Sequence, residues 1–258
     1  RRIRKPVNTS ITNNFEKKQL FTYLQTFLSK KANIKEFIER IGEWYDDYGS
    51  NLIKCSLMDD EELEKYDDFR TFARKKHYDA VKRADILYQK ICSKITHINS
   101  VHISQLQQKI ELVTELLKLS DVEKEVLGYY VRLKFNADVE NLKNTLFGHC
   151  NDRRTHSSFF LRYTQNQIDN YLSPSDKLIS CGLLEMEYDG DIILRQKGAQ
   201  LFSQRFKTIT DLKKVILGSE LTSTLNWKDF KHIVDKDFCA KLLKNSVRSN
   251  CKGINILT

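Results

Sequence analysis

The chain has 258 residues and a formal net charge of +9, from 43 Lys+Arg against 34 Asp+Glu. Its 40% hydrophobic and 10% aromatic content is too apolar for a disordered chain and sufficient for a buried core. Only 9 Gly and 2 Pro argue against a turn-rich all-β fold, and no apolar run nears the ~20 residues of a membrane span, so a soluble, cytoplasmic, mainly helical protein is expected.

Residues 1–10 read as a basic tail, with Arg1, Arg2, Arg4 and Lys5 and no apolar stretch of the secretory kind. Residues 11–44 carry Phe15, Leu20, Phe21, Leu24, Phe27 and Leu28 at helical spacing. Ile34, Phe37, Ile38 and Ile41 resume the stripe after a break at Ala32-Asn33. Tyr48-Gly49-Ser50-Asn51 reads as a turn. A long helix is then predicted over 59–95, opened by Asp59-Asp60-Glu61-Glu62, whose carboxylates suit a positive helix N-terminus. Another follows over 103–119. Residues 11–119 are therefore expected to form a helical bundle.

At Ser120, Glu123 stands three positions on, the spacing of a capping box, and a helix is predicted from there to about Asn136. Further helices are predicted over 138–147 and 157–172. Leu183–Tyr188 and Ile192–Leu194 flank Asp189-Gly190, a two-residue hairpin signal. A closing helix over 198–206 completes the order of a winged helix, so residues 120–210 are expected to be a winged-helix-like domain. Residues 211–258 read as a connector with a helix near 235–246 and a terminal apolar β-branched run, the kind found in buried parallel strands. Its ending there looks cut.

Cysteines 55, 92, 150, 181, 239 and 251 include no Cys-x-x-Cys, so reduced and mostly buried thiols are expected. His149-Cys150 followed by His156 is the nearest approach to a zinc spacing and falls short of one, so no metal is expected. Glu39, Glu43, Asp46 and Asp47 read as a solvated helix end rather than a catalytic carboxylate pair. No Gly-x-Ser-x-Gly elbow is present.

The tail of the chain, Trp227-Lys228-Asp229-Phe230, then a helix with Leu242-Leu243, then Lys252-Gly253-Ile254-Asn255-Ile256-Leu257, resembles the lead-in to an AAA-type ATPase core. The middle is similar to bacterial AAA ATPases with a winged-helix-like region upstream of that core. The matching residues are Leu119-Ser120 with Glu123, Leu172-Ser173-Pro174-Ser175-Asp176 with Leu178, and Gly182-Leu183-Leu184-Glu185. The likeness covers about 116–258, and residues 1–110 match no family. It implies that Trp227, Phe230, Gly253, Ile254 and Ile256 lead into an ATPase core, in a homo-oligomeric parent that uses ATP and Mg. The chain itself has no G-x-x-x-x-G-K-[ST] loop and no apolar strand ending in paired acids, so neither cofactor nor ATP hydrolysis is expected within it.

The resemblance implies a non-catalytic N-terminal region that binds a partner or substrate protein for ATP-driven remodelling. The alternative is a winged-helix DNA-binding protein with a helical dimerisation arm. Its candidate contacts are Arg153, Arg154, Arg162, Gln165 and Asn166 before and on the 157–172 helix, preceded by His156, with Arg195 and Lys197 after the hairpin. Glu185, Glu187, Asp189 and Asp191 make that hairpin acidic, which disfavours a DNA clamp.

Overall fold

The computed structural model describes residues 14–98, 103–148, 156–187 and 192–218, together with 237–238, 240–241 and 244–245. The chain divides into two compact units, Arg1–Ile216 and Leu217–Thr258. The described part is mainly helical, with a two-stranded antiparallel sheet.

Helix α1 (Asn14–Leu28) buries Leu20, Phe21, Leu24 and Phe27, and α2 (Lys31–Trp44) buries Ile34, Phe37, Ile38 and Ile41. The break between them lies at Ser29-Lys30 rather than Ala32-Asn33. Asn33 sits inside α2 and its Nδ2 donates to the Phe27 carbonyl at 3.1 Å, so this polar residue satisfies the end of α1 instead of interrupting α2.

The turn expected at 48–51 is helical. The chain widens into a π-helical turn over Tyr45–Gly49 and continues as α3 (Ser50–Ile53), which stops at Lys54 with φ of 54°. Gly49 has a packing role: a Cβ there would come 2.6 Å from Trp44 Cζ3.

The single helix predicted over 59–95 is three. Asp59 and Glu62 form a capping box at the start of α4 (Asp60–Tyr66), in keeping with the acidic opening read from sequence. Asp67, at φ 66°, ends α4, and Asp68 Oδ1 accepts the Thr71 N–H at 2.6 Å to begin α5 (Phe69–Lys75). After Lys76, α6 (His77–His97) lays Ala80, Ala84, Leu87 and Ile91 inward, packing chiefly on α1.

Ser104 caps α7 (Gln105–Leu117), and the Ser120/Glu123 capping box opens α8 (Asp121–Phe135) as its spacing predicts. Asn136 caps α9 (Ala137–Phe147). The helix predicted over 157–172 is interrupted. After α10 (Ser157–Phe160), Leu161 is extended (φ −96°, ψ 157°), and Thr164 forms a capping box with Gln167 to start α11 (Gln165–Tyr171). This third capping box was not read from the sequence.

A single turn, α12 (Lys177–Ser180), precedes the hairpin of β1 (Leu184–Met186) and β2 (Ile192–Leu194), with Leu184 opposite Leu194 and Met186 opposite Ile192. Its Asp-Gly turn lies outside the described residues. Thus several helical segments, rather than three continuous helices, stand between Ser120 and the hairpin. The closing helix α13 covers Gln196–Ser203. The expected connector after Thr210 begins inside a further helix, α14 (Ile209–Leu217), because Leu212 is fully buried.

Residues on either side of position 120 share one hydrophobic core. Phe27 and Phe37 meet Phe147 at ring distances of 6.2 and 5.1 Å, and Phe27 meets Phe160 at 5.6 Å. Such edge and offset aromatic contacts add about 0.5–1.5 kcal/mol each beyond area burial.

In the second unit, the described residues 237–238, 240–241 and 244–245 are helical, and the Phe238 side chain is exposed. Trp227, Phe230, Gly253, Ile254 and Ile256 lie outside the described residues.

Candidate functional site

Along α1, Gln19, Thr22, Tyr23 and Thr26 fall at three- and four-residue spacing on one face. Along α8, Asp121, Lys124, Glu125, Gly128 and Arg132 do the same. These faces, with Gln107 and Ile110 of α7 and the stretch Phe160–Tyr163, line a cavity of about 600 Å³. It opens at residues 121–125 and 162, where Asp121, Glu125 and Arg162 are exposed.

The inner end is closed by a buried polar cluster. Arg132 Nε donates to Glu16 Oε2 at 2.8 Å, Nη2 donates to Glu16 Oε1 at 3.3 Å and to Gln107 Oε1 at 2.6 Å, and Nη1 donates to the Gly128 carbonyl at 3.2 Å. Ser104 Oγ also donates to Glu16 Oε1. Burial works to lower the Arg132 pKa, but Tyr23 and Glu16 outweigh it and hold the guanidinium above its usual value. Burial also pushes the Tyr23 phenol up, against the pull of Arg132.

Gly128 is an interior helix residue, where glycine costs about 1 kcal/mol relative to alanine. A Cβ there would meet only Arg132 Nη1, at 3.0 Å, and Ile110 Cδ1, at 3.9 Å. The missing side chain therefore leaves room for the guanidinium. At the mouth, burial and the neighbouring Glu125 and Asp121 raise the Tyr163 pKa.

Of the residues read from sequence as contacts, Arg162 lies on this mouth, exposed. Gln165 Nε2 is tied to Asp169 Oδ1 at 2.7 Å, and Asn166 is exposed beside it. Arg195 is paired with Glu185 across the hairpin base at 3.4 Å, while Lys197 is exposed on α13. Arg153 and Arg154 lie outside the described residues. His156 is withdrawn from any surface role: it is buried, with Nδ1 2.9 Å from the Tyr129 hydroxyl, and burial, assisted by Lys143, pushes its pKa down to about 3.

Of the carboxylates at the end of α2, Glu39 and Asp47 are exposed, in keeping with a solvated face, and Asp46 departs from that reading. Asp46 accepts the Phe69 and Arg70 N–H groups at 3.2 and 2.8 Å, Glu43 pairs with Arg70 at 3.3 Å and Glu39 with Arg74 at 3.3 Å. Cys55, Cys92 and Cys181 are free, as expected, but Cys55 and Cys92 are half-buried and Cys181 is exposed, while Cys150, Cys239 and Cys251 lie outside the described residues.

Comparison of the chain with protein-family models, curated proteins and solved structures finds no match. Among the described residues, no helix is long and apolar enough to cross a membrane, and no group of three or more His, Cys, Asp or Glu is placed to hold a metal ion.

The sequence reading missed Glu16, Ser104, Tyr23, Gly128 and Arg132 as one site. Two signals point to it in retrospect: a glycine inside an otherwise strong helical pattern, and an arginine adjoining the apolar positions Tyr130 and Val131.

Proposed function

We propose that residues 1–258 are the non-catalytic N-terminal region of an AAA-type ATPase. The helices before residue 118 receive a partner protein, and a winged-helix-like segment after residue 120 relays that contact to the ATPase core. ATP and Mg act in that core, and the parent works as a homo-oligomer.

The observation that carries this reading joins two separate stretches behind the resemblance. Lys177 Nζ donates to the Lys118 carbonyl at 2.7 Å, beside Leu119-Ser120. There the Asp176 carboxyl is held up by burial, and also by its hydrogen bond to Glu123. Burial opposes ionisation of Glu123 too, yet hydrogen bonds from Ser120 and from Asp176 keep its pKa below the ordinary value. The helix starts at 120 and 176 thus share one polar junction, as one folded module requires.

A second reading, DNA binding, draws support from exposed Arg162 and Lys197, which make no ion pair among the described residues. The Glu185–Arg195 pair weighs against it, because a neutralised hairpin offers phosphates little.

Sequencing the gene beyond the codon for Thr258 tests the first reading. A loop ending Gly-Lys-Ser or Gly-Lys-Thr within about ten residues is the expected result, with no ATP turnover by residues 1–258 alone. A stop codon, or turnover abolished by a substitution within 1–258, overturns it.

A further inference from the structure

Another cavity, of about 220 Å³, lies between the end of α8, helix α9 and strand β2. Leu133 and Lys134 line it from the last turn of α8, and Glu140 and Lys143, three positions apart, line it from one face of α9. Ile192, Ile193 and Leu194 of β2 supply an apolar wall, and the His156 ring completes the lining.

His156 is 7% exposed, yet half of its hydrogen-bonding capacity is unused. Nδ1 meets the Tyr129 hydroxyl at 2.9 Å, while Nε2 makes no hydrogen bond among the described residues. Nε2 is nevertheless not one of the unpartnered atoms sealed from solvent, so it is reached through the cavity that the ring lines. A phenol is a stronger acid than a neutral imidazole, and an imidazole nitrogen is the better acceptor. The Tyr129 O–H therefore donates to Nδ1, and the one ring proton sits on Nε2. Burial and the neighbouring Lys143 keep the ring neutral, with a pKa of about 3. The cavity thus receives an N–H donor whose direction Tyr129 fixes.

Lys134, Lys143 and Glu140 make no ion pair among the described residues. Two cations against one carboxylate leave the lining with a single positive charge in excess. A metal ion would meet two ammonium groups, and a phosphate dianion carries more charge than the lining balances. A neutral molecule leaves the excess charge unanswered. At about 30 Å³ per water-sized group, the space holds roughly seven non-hydrogen atoms, far too few for a nucleotide. Hydrocarbon matches the β2 wall.

We propose that this cavity binds a small aliphatic monocarboxylate. Its carboxylate accepts from His156 Nε2 and meets Lys134 and Lys143, and its tail packs on Leu133 and the β2 wall. The site stands apart from the partner-binding reading and does not depend on it.

Isothermal titration calorimetry of the whole chain with sodium isocaproate tests the site. The expected result is one saturable site with a Kd of about 1 mM or tighter. Isohexanol keeps the tail without the charge, acetate keeps the charge without the tail, and leucine adds an ammonium group that restores the positive excess. These three and inorganic phosphate each bind about tenfold or more weakly than isocaproate. Lys143→Gln weakens isocaproate binding by about tenfold or more at unchanged thermal midpoint, since Lys143 is half-buried and holds no ion pair among the described residues. In heteronuclear NMR, the Nε2–H signal of His156, identified by its loss in His156→Gln, moves on saturation with isocaproate. If that variant does not fold, Lys143→Gln and the ligand series decide.

Absence of saturable isocaproate binding overturns the site. So does equal binding of acetate, phosphate, leucine or isohexanol, which marks general charge attraction or apolar contact. Undiminished binding in Lys143→Gln, or a His156 signal that stays in place, overturns it as well. None of these outcomes touches the partner reading, which fails separately on the gene sequence and ATP turnover.

Discussion

Arg132 of α8 and Glu16 of α1, 116 positions apart, form an ion pair whose side chains are 3% and 9% exposed. The pair ties α1, the first described helix, to the segment beyond residue 120, at the closed end of the cavity. Burying two charges gains little net stability, but leaving one of them alone is costly. Glu16→Leu and Arg132→Met, singly, are each expected to lose about 3–5 kcal/mol in urea unfolding, and the double variant to recover most of it. Additive losses would show that the two residues do not act as a pair.

His156 gives the fold a calculable response to acid. Its folded pKa of about 3 lies below the unfolded value of 6.5, so below pH 6.5 the unfolded chain binds a proton that the folded chain does not. Stability is therefore complete above pH 6.5 and falls as pH drops toward 3. The loss from this residue alone is about 2 kcal/mol at pH 5. In His156→Gln the unfolded-state proton is gone, and the thermal midpoint should change less between pH 7 and pH 5 than in the parent chain. Parallel profiles would remove His156 as the cause.

The hairpin offers a direct discrimination between the two functional readings. Glu185 sits opposite Ile193 in the strand register and pairs with Arg195. Glu185→Lys releases Arg195 and adds a cation, a change of two charges on the hairpin. If the hairpin approaches DNA, affinity for a random duplex rises and its dependence on salt steepens by about two in slope. Unchanged, weak binding across a salt titration is the result expected from a protein-docking region.

Helices α1, α2, α7 and α8 were legible because each buries a periodic apolar stripe, with Ser120 and Glu123 marking a start that local chemistry enforces. The breaks were not. From Leu63 and Tyr66 to Phe69 and Phe72 the stripe continues in phase, while the chain is cut by Asp67 in a left-handed conformation and by the Asp68 cap. The same holds at Thr164, where a capping box hides between two apolar helical runs. That the segments at 184–186 and 192–194 pair was readable around Asp189-Gly190, but their register was not: a two-residue turn there sets Met186 opposite Ile193, and Met186 stands opposite Ile192. The candidate site was mostly invisible, because Glu16, Gln107 and Arg132 meet only through tertiary packing and carry no local spacing signal. Arg162 was found for its charge, and its place on a cavity mouth comes from the break that sequence periodicity had bridged.

Gly49 reverses the usual expectation for a glycine in a helix. Replacing an exposed helical glycine with alanine gains about 1 kcal/mol through propensity and a less flexible unfolded chain. Here the chain is helical on both sides, φ at Gly49 is −67°, and alanine is conformationally acceptable. Yet a Cβ would lie 2.6 Å from Trp44 Cζ3 and 3.0 Å from Cε3, atoms of a ring that is 1% exposed and has no room to retreat. Overpacking of this kind costs about 1–3 kcal/mol and exceeds the propensity gain. Gly49→Ala is therefore expected to lower the unfolding midpoint, and Gly49→Ala combined with Trp44→Leu to lose less than the sum of the two single changes. A stabilised Gly49→Ala chain would mean that the Trp44 ring is not what requires glycine at this position.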